Sequence, residues 1–265
     1  MTLITGIIGT HGLILAADSE EQISQPNALR TRADNFQIFN GQQPTPWTVA
    51  LTGSGDSDWI GMAKDFIEEA IRATDGTDKQ IIDCIRKAIH EIWRDYIQYE
   101  RGQVDLGLLI GSFSSDFRLR FTVVKNTAVR TGRSLEAMGI GDSVFRSLAD
   151  RYLDYGTLGH VPGDMEVLRY FVIHAMQQAK SVPGVGGNTR VLTIGRNGEI
   201  KWEKSYKIWE VTRFLGNLEN DLRLLISQDV NKGEEFIKEL SQGTVKRLRA
   251  FRSELERIES DSSLL

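Results

Sequence analysis

Apolar residues in this chain follow two spacings, one typical of short buried strands and one typical of amphipathic helices. The first 17 residues are almost without charge and are interrupted at 9–12 by Gly-Thr-His-Gly, which indicates two buried strands joined by a turn. Residues 60–71 and 81–96 instead place apolar side chains three and four positions apart, as on one face of a helix. Asp75-Gly76-Thr77 separates these two predicted helices.

The rest of the chain continues in alternating groups of strands and helices. Arg196-Asn197-Gly198-Glu199 is the clearest turn, because Asn-Gly favours the type I′ turn of a β-hairpin. The predicted strands are 2–8, 13–17, 36–39, 48–52, 104–110, 119–124, 128–131, 190–194 and 200–202, and the further predicted helices are 142–155 and 165–180. Hairpins with paired helices between them favour an α+β fold, a four-layer αββα sandwich, over an alternating parallel sheet.

The last sixty residues have helical character and contain one apolar stripe among charged side chains. We therefore predict a main domain at 1–207 and a C-terminal helical extension at 208–265. The stripe either packs on the chain's own domain or contacts a subunit or partner. It consists of Leu248, Phe251, Leu255 and Ile258.

Composition and charge exclude several classes of protein. With 40% hydrophobic residues and a net charge of −4 over 265 residues, the chain is too apolar to be disordered and has no general attraction to nucleic acid or anionic lipid. Its apolar runs are shorter than the roughly 20 residues of a membrane helix. Cys84 is the only cysteine, which excludes an internal disulfide, and the absence of Lys or Arg before Arg30 argues against a secretory signal. We expect a cytoplasmic protein without a nucleic-acid or membrane partner.

Histidine and glycine motifs indicate neither a metal nor a nucleotide site. The four histidines lack the spacing of known zinc motifs. Gly53-Ser54-Gly55 follows a predicted strand and precedes a helix, but it lacks the Gly-Lys-Ser/Thr ending of a phosphate loop. We therefore expect no metal and no cofactor.

The residue that follows the initiator methionine is the strongest candidate for chemistry. A small second residue normally permits removal of Met1, and Thr2 would then carry a hydroxyl and a free α-amine. An α-amine has a pKa of about 8, against about 10.4 for a lysine side chain, so it can accept the hydroxyl proton near neutral pH. One residue would thus be both nucleophile and base.

The segment from Thr2 to Asp18 resembles the opening of proteasome β-type subunits and of the peptidase of the bacterial ATP-dependent two-component protease, both N-terminal-nucleophile (Ntn) hydrolases. Those proteins begin with the catalytic threonine, turn at a glycine and reach an aspartate at the interval found here. Residues 51–56, 139–144 and 186–188 with the following hairpin resemble glycine-rich segments of the same family. The resemblance covers most of the chain and implies the αββα fold.

Carried over to this chain, the resemblance implies a role for each matching residue. Thr2 would be the nucleophile, Asp18 would hold a positive partner beside it, and the backbone N–H of Gly53 would donate to the oxyanion. The substrate-binding positions would be Gln22, Leu51 and Gly55. The resemblance also implies a peptide or amide substrate and a homo-oligomer, with a ring as one form, and it identifies no ATPase partner.

Several positions depart from the pattern of that family. Asp34 and Asn35 occupy the positions where the family has its catalytic lysine. Arg30 or Arg32 could restore the positive charge there, although a guanidinium does not readily shuttle protons. Apolar residues replace polar family residues at Ile140, Val182 and Val185.

Three functions therefore stay open from the sequence. The first is a threonine-dependent amidohydrolase or peptidase with Thr2 as nucleophile and Arg32 as the auxiliary cation. The second is a catalytically silent homologue of the same fold that serves as a structural or binding subunit. The third is a helical interaction module in which the C-terminal segment binds a partner.

Overall fold

The computed structural model describes residues 3–18, 20–21, 31–32, 36–41, 46–99, 104–153, 160–183 and 185–227. These residues form a mixed α+β fold with two five-stranded antiparallel sheets, a two-stranded ribbon and, within the described ranges, five α-helices. The chain divides into two compact units, Met1–Ile208 and Trp209–Leu265. The α+β class expected from the sequence is confirmed.

The strands, in chain order, are β1 (Ile4–Ile8), β2 (Gly12–Ala17), β3 (Glu20–Glu21), β4 (Thr31–Arg32), β5 (Phe36–Gly41), β6 (Trp47–Gly55), β7 (Leu106–Phe113), β8 (Leu119–Lys125), β9 (Ala128–Thr131), β10 (Leu135–Met138), β11 (Arg190–Gly195) and β12 (Ile200–Trp202). The first sheet has the order β10-β1-β2-β11-β12 and the second the order β5-β6-β7-β8-β9. Strands β1 and β2 form the predicted hairpin, in which Ile4 lies opposite Ala17.

The helices are α1 (Ser57–Arg72), α2 (Asp78–Asp95), α3 (Asp142–Tyr152), α4 (Met165–Ala179) and α5 (Ser205–Ser227). Helix α1 begins after Asp56, whose carboxylate accepts the N–H of Asp58 at 3.0 Å. Helix α2 begins with a capping box, in which Thr77 and Gln80 satisfy each other's backbone N–H groups. No helix in the described part of the chain is both long and apolar enough to cross a bilayer.

Two buried clusters explain the apolar patterns of the helices and of the strands. Helices α1 and α2 turn their apolar stripes onto one face of the second sheet, with Ile67, Ile85 and Ile89 fully or almost fully buried there. A second cluster joins the two sheets, since Leu13 and Leu15 of β2 pack with Phe121 of β8. Helices α3 and α4 contact strands of the first sheet.

A buried ion cluster connects α4 to Glu203, which follows β12, and to Lys207 in the first turn of α5. Arg169 binds Glu203 at 3.2 Å, and Lys207 lies 3.8 Å from Glu203 and 3.4 Å from Glu166. The side chains of Arg169, Glu203 and Lys207 are at most 11% exposed. Because so little solvent reaches these charges, each depends on its partners for stabilisation.

Two elements illustrate where the structure differs from the sequence prediction. Helix α3 was predicted to reach residue 155 but ends at Tyr152. Strand β10 was not predicted, and it extends the first sheet by pairing with β1, where Met138 lies opposite Ile4. The predicted apolar stripe near the C-terminus lies outside the described residues.

Candidate functional site

A buried carboxylate lies at the start of the first strand. Asp18 directly follows β2 and is fully buried. Its Oδ2 accepts hydrogen bonds from the backbone N–H groups of Leu3 and Gly186, each at 3.2 Å. The N–H of Asp18 in turn donates to the carbonyl of Leu3 at 3.1 Å. Asp18 therefore ties the beginning of β1 to the glycine turn that precedes β11.

The surroundings of Asp18 change its acidity. Burial raises the pKa of this carboxyl from 3.8 to about 6, because the ionised form loses its hydration. The hydrogen bonds from Leu3 and Gly186, the positive charge of the chain's amino terminus and that of Lys180 act in the opposite direction. Asp18 therefore titrates close to neutral pH, a property that carboxylates in functional sites often have.

The glycine that precedes α3, Gly141, packs against Leu3, the residue whose N–H Asp18 accepts. A Cβ on Gly141 would lie 3.0 Å from Leu3 Cδ2, 3.1 Å from Ala179 Cβ and 3.2 Å from Val185 Cγ2. The residue at this position must therefore be very small if Leu3 is to keep its place. The neighbouring Ile140 leaves 36% of its surface exposed. Segments that are distant in sequence thus meet around Leu3 and Asp18.

The end of β6 lies at the same end of the two sheets as the start of β1. Ser54 of β6 pairs with Gly107 of β7. A Cβ on Gly107 would lie 3.8 Å from Cε of Met138, and Met138 pairs with Ile4 of β1. These successive contacts bring the glycine-containing end of β6 close to β1, the strand that follows Thr2 in sequence.

Packing explains the two glycines predicted to act at the end of β6. A Cβ on Gly53 would lie 2.5 Å from Cγ2 of Ile60, so the glycine lets α1 approach the sheet closely. Gly55 has φ +118°, and a Cβ there would lie 2.1 Å from the carbonyl oxygen of Asp105. Leu51 is fully buried in the cluster between the second sheet and helices α1 and α2.

Other predicted site residues fall outside what the structure describes. Thr2, Gln22, Arg30, Asp34 and Asn35 lie outside the described residues. The backbone of Arg32 belongs to β4, where it pairs with Glu20.

Sequence reasoning did not single out Lys180, which lies next to the Asp18 contacts. Its Nζ donates to the carbonyl of Gly187 at 2.9 Å, one residue from the N–H that Asp18 accepts. No motif marks this lysine, because its position follows from the path of the loop after α4. Val182 and Val185, at positions of polar family residues, form part of that loop, and Val185 is buried against Gly141.

Comparison with known proteins gives a fold but no sequence family. No family model matches the sequence, and no curated protein matches it. The structure is similar to Anbu (ancestral beta-subunit) from Yersinia bercovieri, with a TM-score of 0.68 and 13% identity over 86% of this chain and 98% of that one. The chain has a proteasome-like fold.

Two further Anbu structures agree with this result. Anbu from Hyphomicrobium sp. strain MC1 has a TM-score of 0.66 and 12% identity, covering 86% of this chain and 97% of that chain. A helical assembly of the Anbu complex from Pseudomonas aeruginosa gives a TM-score of 0.64 and 11% identity, covering 88% of this chain and 100% of that chain. Structural similarity at such low sequence identity shows only that the folds are alike.

These structures correct the family assignment made from the sequence. The resemblance pointed to proteasome β-type subunits and N-terminal-nucleophile hydrolases, and that assignment is wrong because the structural neighbours are Anbu proteins. Anbu is proteasome-related, so the error concerns the family and leaves the fold intact. A fold likeness of this kind carries no information about an N-terminal nucleophile.

Proposed function

We propose that this chain hydrolyses amide bonds with Thr2 as the nucleophile once Met1 has been removed. The observation that carries the proposal is the hydrogen bond from the Leu3 N–H to the buried carboxylate of Asp18. The Leu3 nitrogen is joined to the carbonyl carbon of Thr2 by a peptide bond of about 1.33 Å. Asp18 therefore binds the residue that follows Thr2, and in this proposal its negative charge would stabilise a protonated α-amine on Thr2.

The proposed reaction uses Thr2 twice. Its hydroxyl attacks the carbonyl carbon of the substrate amide while its α-amine accepts the hydroxyl proton. The backbone N–H of Gly53 stabilises the resulting oxyanion, and the protonated α-amine donates to the departing amine. Water then hydrolyses the ester on Thr2, which restores the hydroxyl and releases the acid. Arg32 is the proposed auxiliary cation.

An extended peptide is the proposed substrate, because strands beside the nucleophile can add a further strand through backbone hydrogen bonds. Gln22 would supply backbone contacts, and Gly55 and Leu51 would line the pocket, Leu51 through its backbone because its side chain is buried against α1 and α2. Ile140 is apolar and partly exposed, which suits an apolar substrate side chain.

The proposal extends to the domain organisation and the assembly of the chain. We propose a four-layer αββα sandwich for residues 1–207 and a separate helical extension for 208–265. The cluster shared by the two sheets and the packing of α1 and α2 on the second sheet support the layers. We also propose a cytoplasmic homo-oligomer, which the helical assembly of Pseudomonas aeruginosa Anbu supports.

A catalytically silent subunit is the second candidate, and a specific observation favours it. Apolar side chains pack with Leu3 around Gly141: Ala179 and the buried Val185 lie within 3.2 Å of the place where a Gly141 Cβ would stand. Asp34 and Asn35 supply no lysine to assist the nucleophile. In this alternative, Asp18 only fixes the start of β1 for assembly.

Intact-mass spectrometry with an electrophilic peptide separates the two candidates. The purified chain is measured before and after incubation with a peptide epoxyketone, a group that reacts with a hydroxyl and an amine on the same residue. We expect loss of Met1 and one adduct on Thr2, retained in the control Thr10→Ala and absent in Thr2→Ala. Retention of Met1, or no adduct on folded protein that has lost it, contradicts hydrolysis and favours the silent subunit.

A further inference from the structure

Lys180 closes the loop that follows α4. It is the C-cap residue of this helix, with its backbone N–H bonded to the carbonyl of Gln177 at 3.1 Å. Its half-buried side chain reaches forward, and Nζ donates to the carbonyl of Gly187 at 2.9 Å. The two ends of the loop from 180 to 187 are therefore joined by one charge-assisted hydrogen bond.

The far end of this loop presents the N–H that Asp18 accepts. Within the loop, Val182 donates to the carbonyl of Ala179 at 2.9 Å and Val185 to that of Val182 at 3.1 Å. Gly187 has φ +71°, a conformation that suits glycine, and the chain bends at this residue. The N–H of Gly186, which directly precedes this bend, donates to Asp18 Oδ2 at 3.2 Å.

The ammonium of Lys180 also acts on Asp18 through its charge. Its field and that of the chain's amino terminus both lower the pKa of Asp18, against the larger effect of burial. Removal of the lysine charge must therefore make Asp18 harder to ionise. The hydrogen bond to Gly187 and the effect on the pKa of Asp18 thus both come from Lys180.

We propose that Lys180 is a positioning residue for the Thr2 site: it fixes the 180–187 loop so that the N–H of Gly186 stays on Asp18 Oδ2, and it places an ammonium group near that carboxyl. This inference rests on the proposed function of Thr2. A purely structural role is the alternative, because a cation near the C-terminus of a helix is favourable by itself.

Lys180→Met and Lys180→Arg distinguish the two roles. Methionine keeps most of the apolar stem and removes the charge, whereas arginine keeps the charge on a larger head group. Lys201→Met is the matched control, because Lys201 is an exposed lysine on β12. In each protein, carbon-detected NMR of the Asp18 carboxyl gives its titration midpoint, and hydrogen exchange of the Gly186 amide reports opening of the loop.

We expect Lys180→Met to raise the titration midpoint of Asp18 and to accelerate exchange at Gly186 by about ten- to a hundredfold, the range expected for loss of one charge-assisted hydrogen bond. Labelling of Thr2 by the epoxyketone should then require a higher pH, and Lys180→Arg should restore the pH profile. An unchanged midpoint and unchanged exchange in Lys180→Met overturn the proposal. A slower labelling rate with an unchanged pH profile also overturns it, in favour of the structural role.

The NMR measurements keep this inference separate from the proposed function. Absence of any adduct on wild-type Thr2 refutes hydrolysis and, with it, the role of Lys180 in catalysis. The coupling between Lys180 and Asp18 is still read directly from the titration and from the exchange at Gly186.

Discussion

Replacement of Asp18 by asparagine removes a buried charge while keeping an oxygen that accepts the N–H groups of Leu3 and Gly186. The pKa of Asp18 lies at about 6 in the folded chain, above its ordinary value of 3.8. A carboxyl whose pKa is higher in the folded chain than in the unfolded chain stabilises the fold while it is protonated. This stabilisation is complete at pH values below the unfolded-state pKa, and it is lost as the pH rises through the folded-state pKa. At about 1.4 kcal/mol per pKa unit, ionisation of Asp18 costs the folded state about 3 kcal/mol.

Most of this loss of stability occurs at pH values at which unfolding can be measured. Between about pH 4.5 and about pH 7.5, the wild-type chain should lose about 2 kcal/mol of stability relative to Asp18→Asn, because asparagine does not ionise. Urea unfolding followed by tryptophan fluorescence at several pH values, at one protein concentration, gives both free energies of unfolding. Asp58→Asn, at an exposed aspartate in the first turn of α1, controls for loss of a carboxylate from the chain.

The difference between the two curves is the decisive quantity, since titration of the other groups largely cancels in it. Parallel curves for wild type and Asp18→Asn refute the raised pKa. A wild-type chain that gains stability relative to the variant as the pH rises means that the carboxylate is stabilised by its surroundings, contrary to our reasoning.

Two other substitutions test the buried ion cluster at α4 and the close packing at Gly141. Glu203→Gln should lower the free energy of unfolding by about 3 kcal/mol, because Arg169 and Lys207 then lose their buried carboxylate partner and keep only the partly exposed Glu166. The exposed Glu199→Gln should change it by less than about 0.5 kcal/mol; urea unfolding checks both. Gly141→Ala should lower it by about 1–2 kcal/mol through overpacking, whereas Gly61→Ala, with open space in α1, should raise it by about 0.5–1 kcal/mol; equal effects of the two alanines contradict the close packing.

Local periodicity made most of the elements predictable. The hairpin of β1 and β2 and the stripes of α1 and α2 depend on residues that are close in sequence, so their patterns are visible without tertiary contacts. Strand β10 is different, because Leu-Glu-Ala-Met has no strand propensity of its own. It becomes a strand by pairing with β1, and the buried Glu136 is stabilised there by Arg130 at 2.7 Å.

The candidate site was only partly predictable for a similar reason. Asp18 was predicted from the resemblance to proteasome β-type subunits, whose interval between threonine and aspartate this chain matches. The β1–β2 hairpin sets that interval through a register within one short segment. Lys180 lies 162 positions further along the chain, and its approach to Asp18 depends on the loop after α4. The fold as a whole, and no local pattern, brings this lysine to Asp18.

The cost of burying Asp18 also bears on the choice between a hydrolase and a silent subunit. A subunit that needs only the hydrogen bonds to Leu3 and Gly186 is served equally well by asparagine, which makes them without the cost of ionisation. A hydrolase needs the negative charge beside the α-amine of Thr2. If Asp18→Asn folds with greater stability above pH 7, assembles normally and loses labelling of Thr2, the carboxylate serves chemistry; unchanged labelling assigns it to the fold alone.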